Sequence, residues 1–209
     1  MSFMSVEKEA EIRLEETKWY VDKLKPRLRD FKAPVGQEIN FSCPNVGLHP
    51  EELIGEVAQT LTIMSELGVP LVPKFNAMMP PEIARQIAEH PACDAICISN
   101  TIPWGQLPDR IDWKGLFGSE ESPLKEFGNG GLSGKPLFPI VREWVIDARR
   151  AGLTKPINAG GGVLGPVQAE SLLEAGADAI ALGTIAMLRP WRMRRTIEAA
   201  TSWHDWERE

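Results

Sequence analysis

The sequence predicts an α/β fold, a single domain of parallel strands alternating with helices, and three observations predict it. Apolar runs of strand type recur at 38–42, 69–75, 94–99, 156–159 and 178–182, with helical patterns between them. Strands separated in this way by helices pair in parallel through right-handed crossovers. The 209 residues, 43% hydrophobic and 25% charged, are enough for one buried core, and no internal linker or fixed-period repeat divides them.

The chain opens on residues 1–5 and then a charged helical segment over about 6–30. Its expected apolar stripe is Ile12, Trp19, Val21, Leu24 and Leu28, and Pro26 should kink or end it. In 38–42 the apolar residues Ile39 and Phe41 alternate with polar ones, as in a half-buried strand, and Pro44 cannot donate to a continuing ladder. The chain therefore changes direction at Cys43. A thiol at a strand's C-terminal end, flanked by Asn40, Ser42 and Asn45, lies where barrel enzymes place catalytic groups, and Asn side chains can hold the carbonyls and ring N–H of a planar heterocycle. A buried cysteine in an ordinary loop fits the same spacing.

A helix follows from Pro50, with Leu53, Ile54, Val57, Leu61 and Met64 on one face and Gly68 as its stop. In the next strand Lys74 is the sole charge of VPLVPKF, so its ammonium must leave toward solvent or an anion. A short helix over about 81–89 leads into DAICIS, which ends at Asn100 and Thr101. The longest irregular stretch, about 102–134, holds Pro103, Trp104, Pro108, Trp113 and Pro123 and closes with GNGGLSG. Long loops in compact domains are usually lids or binding loops, and Gly130, Gly131 and Gly134 would let backbone approach a flat ligand or serve as a hinge. A helix over 136–151 carries Ile140, Trp144 and Ala148 at helical spacing.

The last third repeats strand, glycine turn and helix twice. Residues 156–159 run into Gly160, Gly161 and Gly162 before a helix at 166–175, and 178–182 run into Gly183 and Thr184 before a helix at about 190–200. Free backbone N–H groups collect at such turns and suit a phosphate; tight packing is the other explanation.

Composition narrows the function. A net charge of −6 is wrong for a broad nucleic-acid face, and Arg189, Arg192, Arg194 and Arg195 read as a solvated helix face. Three cysteines without a Cys-x-x-Cys or a neighbouring His cluster give neither a disulfide framework nor a zinc site. No apolar run reaches membrane length and no signal-peptide pattern opens the chain, so no membrane partner is expected and a reducing, cytoplasmic setting is.

The ordered motifs INFSCPN, VPKF, ISNT, GGLSG, NAGGG and ALGT, spread over about 37–188, resemble the dihydroorotate dehydrogenase family, with the cysteine of its class 1 members where class 2 members have serine. The resemblance implies a (β/α)8 TIM barrel, here a partial one of about strands 4 to 8 with their helices. It also implies an FMN-dependent oxidoreductase acting on a small molecule, dihydroorotate, to give orotate in pyrimidine biosynthesis. By motif, Cys43 matches the base that removes the C5 proton while the C6 hydride goes to the flavin. Asn40, Asn45, Asn100 and Thr101 match residues around the substrate, Asn100 also touching the flavin, and Lys74 matches the lysine on the flavin ring. Gly131 and Ser133 match the loop beside the flavin, and Gly161, Gly162, Gly183 and Thr184 the phosphate grip. A thiol of reference pKa ~8.5 can serve as such a base when neighbouring dipoles favour its thiolate.

The front of the chain departs from the family. Family barrels have three strands before the SCPN strand, whereas about 36 mostly helical residues stand there here, with residues 1–5 where strand three would end. An early flavin-contacting loop, a second lysine and an early asparagine motif have no counterpart. Open edges are expected at barrel strands four and eight, to be completed by missing N-terminal strands or by association with another chain, including a homo-oligomer. Two other functions fit the residues: a flavin-dependent reductase of another pyrimidine base, and a non-catalytic partial barrel.

Overall fold

The computed structural model describes residues 1–41 and 50–206, with side chains at 1–41 and 52–203. In chain order the elements are β1 (Ser2–Phe3), α1 (Ala10–Leu24), β2 (Gln37–Asn40), α2 (Pro50–Met64), β3 (Leu71–Asn76), α3 (Pro81–Ala88), β4 (Ile96–Asn100), β5 (Ile102–Pro103), α4 (Trp113–Phe117), β6 (Gly131–Leu132), α5 (Phe138–Arg150), β7 (Ile157–Gly160), α6 (Pro166–Glu174), β8 (Ala179–Ala181), α7 (Thr184–Leu188) and α8 (Met193–Trp206).

Among the described residues the main sheet has six strands in the order β1-β2-β3-β4-β7-β8, every pair parallel, and it is open. The expected strands are all present, and β1 adds one more beside β2, where residues 1–5 were expected to finish a strand. The edges are therefore β1 and β8. Helices α1, α2, α3, α5, α6 and α8 each pack on the next, forming one layer. Between that layer and the sheet lies the core, where Ile39, Phe41, Leu71, Phe75, Ile96, Ile98, Ile157 and Ala159 meet Val57, Leu61, Ile87, Val141 and Leu172. Residues that alternate with the strand members of this core face the other way.

Two aspartates tie strand starts together. Asp94, just before β4, accepts the Leu71 amide through Oδ2 at 2.8 Å, and Asp178, just before β8, accepts the Ile157 amide at 2.7 Å. Each satisfies the first N–H of the neighbouring strand, so the register is fixed at its N-terminal end.

The N-terminal helix differs from expectation. It ends at Leu24 and tightens into a 3-10 segment, Lys25–Asp30, because Pro26 has no N–H to give to an α-helical bond. Its buried positions are Arg13, Thr17 and Val21, whereas Ile12 and Trp19 are 43% and 62% exposed. The cause is a buried ion pair. The Arg13 guanidinium grips Glu56 of α2 with two bonds, Nε to Oε1 and Nη2 to Oε2, both 2.6 Å, and Nη1 donates to the Glu7 carbonyl. Paired in this way, a charge can occupy the face an apolar stripe would otherwise take.

Segment 102–134 is more ordered than its prolines imply. Strands β5 and β6 pair antiparallel, Ile102 with Leu132 and Pro103 with Gly131. Trp104, Trp113 and Phe117 pack their rings together, with centroids 4.7 Å apart for the two tryptophans, and Trp113 Nε1 donates to the Gln106 carbonyl.

Candidate functional site

Side chains paired across a sheet point to the same face. Asn40, Lys74, Cys97 and Asn158 are register partners on β2, β3, β4 and β7, so one polar row crosses the sheet on the side away from the core. Asn100 joins it: its Nδ2 donates to Asn40 Oδ1 at 2.9 Å, and a register shift after Phe75 sets it opposite Asn76. Two expected site residues 60 positions apart are thus in direct contact.

Lys74, expected to seek solvent or an anion, meets an anion of its own chain. Its Nζ lies 3.1 Å from Glu38 Oε1, and the same oxygen accepts the Ser2 hydroxyl of β1 at 2.8 Å. Cys97 sits beside this pair with its Sγ 3.3 Å from Ser99 Oγ, and Asn158 Nδ2 donates to the sulfur at 3.6 Å. Burial pushes the Cys97 thiol up to about 11, against the Ser99 hydrogen bond, and the Glu38 carboxylate also raises it. Cys97 is therefore a neutral thiol near pH 7.

The glycine motifs converge at the C-terminal end of the sheet. Thr101, exposed, lies between Asn100 and the β5–β6 ribbon, and a Cβ on Gly131 would fall 2.6 Å from Thr101 Oγ1. Glycine there lets the ribbon close on the end of β4. Ser133 is exposed just past β6. After β7 the backbone turns through Gly161 at φ +129° and Gly162 at φ +71°, and a Cβ on Gly162 would lie 2.3 Å from the Gly134 carbonyl oxygen. Close packing thus requires glycine at 162. Gly183 is different: its φ of −106° suits any residue and a Cβ there would meet nothing within 4 Å, so packing gives no reason for its being glycine. Thr184 beside it is buried, and its methyl lies 4.0 Å from where a Gly134 Cβ would stand.

Cys43 and Asn45 lie outside the described residues; the last one described before them is Phe41, one residue beyond the row's Asn40. The sequence reading did not single out Glu38, Cys97, Asn158 or Ser2. Glu38 carried a signal, since it shares the period-2 face of Asn40. Asn158 stands in the NAGGG motif three residues before the turn at Gly161.

What these groups offer is amide donors and acceptors, one held ammonium and a glycine turn with open space. That combination suits a flat, carbonyl-bearing ring system with an anionic tail. No described helix is long and apolar enough to cross a membrane.

A family model for dihydroorotate dehydrogenase matches residues 3–200. The chain is 34% identical over 171 residues to the catalytic subunit of a dihydroorotate dehydrogenase B (NAD(+)) from Listeria innocua, covering 79% of this chain and 53% of that protein. It is 30% identical over 168 residues to the same subunit from Staphylococcus carnosus, with 77% and 51% covered. To a putative dihydroorotate dehydrogenase A (fumarate) from Solibacter usitatus it is 33% identical over 171 residues, with 78% and 52% covered. A crystal structure of a ligand-free type DHODH from Eimeria tenella shares the fold at a TM-score of 0.64 and 20% identity, over 92% of this chain and 56% of that one. The chain spans about half the length of the curated relatives it matches.

Proposed function

The chain belongs to the dihydroorotate dehydrogenase family, and from that premise we propose that it carries the base, the flavin-ring lysine and the phosphate turns of an FMN-dependent enzyme oxidising dihydroorotate to orotate. The observation that supports this most is the meeting of Asn40, Lys74 and Asn100, from three strands and three motifs, on one face of the sheet. The described groups fit FMN: Gly183 leaves open space beside the C-terminal ends of β7 and β8, and the polar row offers a cation and amides to a flat ring.

When bound, FMN supplies the acceptor for the hydride that leaves C6 of the substrate. The chain's own share is to hold and deprotonate. Asn40 and Asn100 orient the pyrimidine ring through its carbonyls and N–H groups, with Asn45 and Thr101 beside them. Lys74, with Asn100, Gly131 and Ser133, would hold the flavin ring, and Gly161, Gly162, Gly183 and Thr184 would hold its phosphate. Cys43 as thiolate takes the C5 proton and becomes a thiol, so the C5–H electron pair forms the ring double bond as the C6 hydride departs.

Orotate titration tests this reading against another pyrimidine-base reductase. With FMN present, orotate should perturb the flavin absorbance saturably, uracil should not, and Asn100→Ala should abolish the change. A response to uracil that exceeds the response to orotate would favour the other reductase.

A further inference from the structure

We propose that Glu38 is a positioning residue that sets where the Lys74 ammonium lies on the sheet face, and that Ser2 of the edge strand β1 fixes Glu38 in turn. This rests on the flavin reading above, which places a ring against Lys74.

A lysine ammonium sits on a flexible four-carbon stem and, left alone on a sheet face, extends toward water. Here it does not. Lys74 Nζ is 3.1 Å from Glu38 Oε1, and only 20% and 26% of the two side chains is exposed. The register shows the direction of the constraint: Lys74 is paired with Asn40, and Glu38 lies two residues before Asn40 on the same face. The ammonium is thus drawn back from the C-terminal end of the sheet, toward the strand starts. Glu38 is itself held, because its Oε1 also accepts the Ser2 hydroxyl at 2.8 Å, and Ser2 is the register partner of Glu38 on β1. The chain Ser2–Glu38–Lys74 therefore spans three adjacent strands and makes the pairing of the edge strand a determinant of the site. The titratable group packed against it from β4 is Cys97, and Asn158 of β7 lies beyond that.

The test follows the lysine ammonium in the full chain labelled with 13C and 15N at lysine, the Lys74 resonance being identified by its loss in Lys74→Arg. In the wild type the ammonium should exchange slowly enough to be seen. Glu38→Gln should lose that signal while the backbone spectrum is kept, and Glu38→Asp should restore it in part. In a parallel FMN titration Glu38→Gln should weaken binding several-fold, Glu38→Asp less, and Ser2→Ala should fall between Glu38→Asp and wild type. An unchanged Lys74 signal in Glu38→Gln overturns the positioning role whatever the flavin does. Absence of any FMN uptake by wild type, also when the strands of the relatives' unmatched half are supplied, instead overturns the flavin reading and, with it, the use assigned to the pair. A lost lysine signal with unchanged FMN affinity would show the contact to be structural only and would also overturn the proposal.

Discussion

A thiol acts as a base only where its thiolate is accessible, and the two described thiols are set against that. Burial pushes Cys93 up to about 12 and Cys97 up to about 11, so both stay protonated at neutral pH. Native-state alkylation near pH 8 should therefore leave Cys93 and Cys97 unmodified until the protein is unfolded, and mass mapping of the labelled peptides reads this directly; labelling of Cys97 in the native state would contradict it. The same shifts give a stability trend. Above the unfolded thiol's pKa the unfolded chain loses a proton that the native chain keeps, so native stability should fall as pH rises from about 9 toward 11. Replacing Cys97 by Ala should flatten that fall in urea melts taken across this range. The proposed work of Cys43 predicts the contrary behaviour at that residue: Cys43→Ala in a completed barrel should keep flavin while dihydroorotate oxidation drops by about 10² or more. Cys43→Ser should retain activity only at raised pH, and wild-type turnover in the alanine variant would remove Cys43 from the chemistry.

Helices α1 and α2 share a buried charge pair beside their apolar contacts, which makes their interface sensitive to losing one partner. Arg13 and Glu56 are 8% and 7% exposed. Glu56→Gln should cost about 3–5 kcal/mol by leaving the guanidinium buried without its anion, whereas an apolar pair of matching volume should cost much less; urea unfolding of the single and double variants measures both. At the glycine turns the two motifs should separate. Gly162→Ala forces a left-handed residue and a clash with the Gly134 carbonyl and should cost about 1–3 kcal/mol, while Gly183→Ala should leave stability unchanged and, if phosphate sits there, lower FMN affinity. Equal stability of the two variants would contradict the packing account of Gly162. These elements also mark what the sequence could tell. Strand alternation placed Ile39 and Phe41 inward and left Asn40 for the site, because a period of two is a local property. The α1 face was misjudged because what buries Arg13 is a carboxylate 43 positions away on another helix, invisible to local periodicity. The β5–β6 ribbon was likewise hidden, since Ile102 finds Leu132 only through the fold and prolines between them signal irregularity. Lys74 was read as a charge bound for solvent or an anion, and only the register that brings Glu38 beside it decides for the anion.

At the scale of the whole molecule, the sheet ends at β1 and β8 with backbone groups facing outward, and Val167, Met187, Leu188 and Trp191 are 60–77% exposed on the α6–α8 side. Unpaired strand edges and apolar surface favour association, and burial forgone at both edges is weighed against a net stability of only ~5–15 kcal/mol. The 209-residue chain alone should therefore self-associate or be poorly soluble and hold FMN weakly. Size-exclusion chromatography with the flavin band followed through the column checks this, and a monodisperse yellow monomer would contradict it. Supplying the strands that the relatives have in their unmatched half should give a soluble yellow protein. The central claim, that the polar row from Asn40 to Asn158 faces a flavin and dihydroorotate, is tested most directly by adding dihydroorotate anaerobically to that reconstituted protein and following the flavin absorbance. The account predicts bleaching of the flavin band that is lost in Cys43→Ala although flavin remains bound; a band that dihydroorotate leaves intact in the wild-type protein would contradict it.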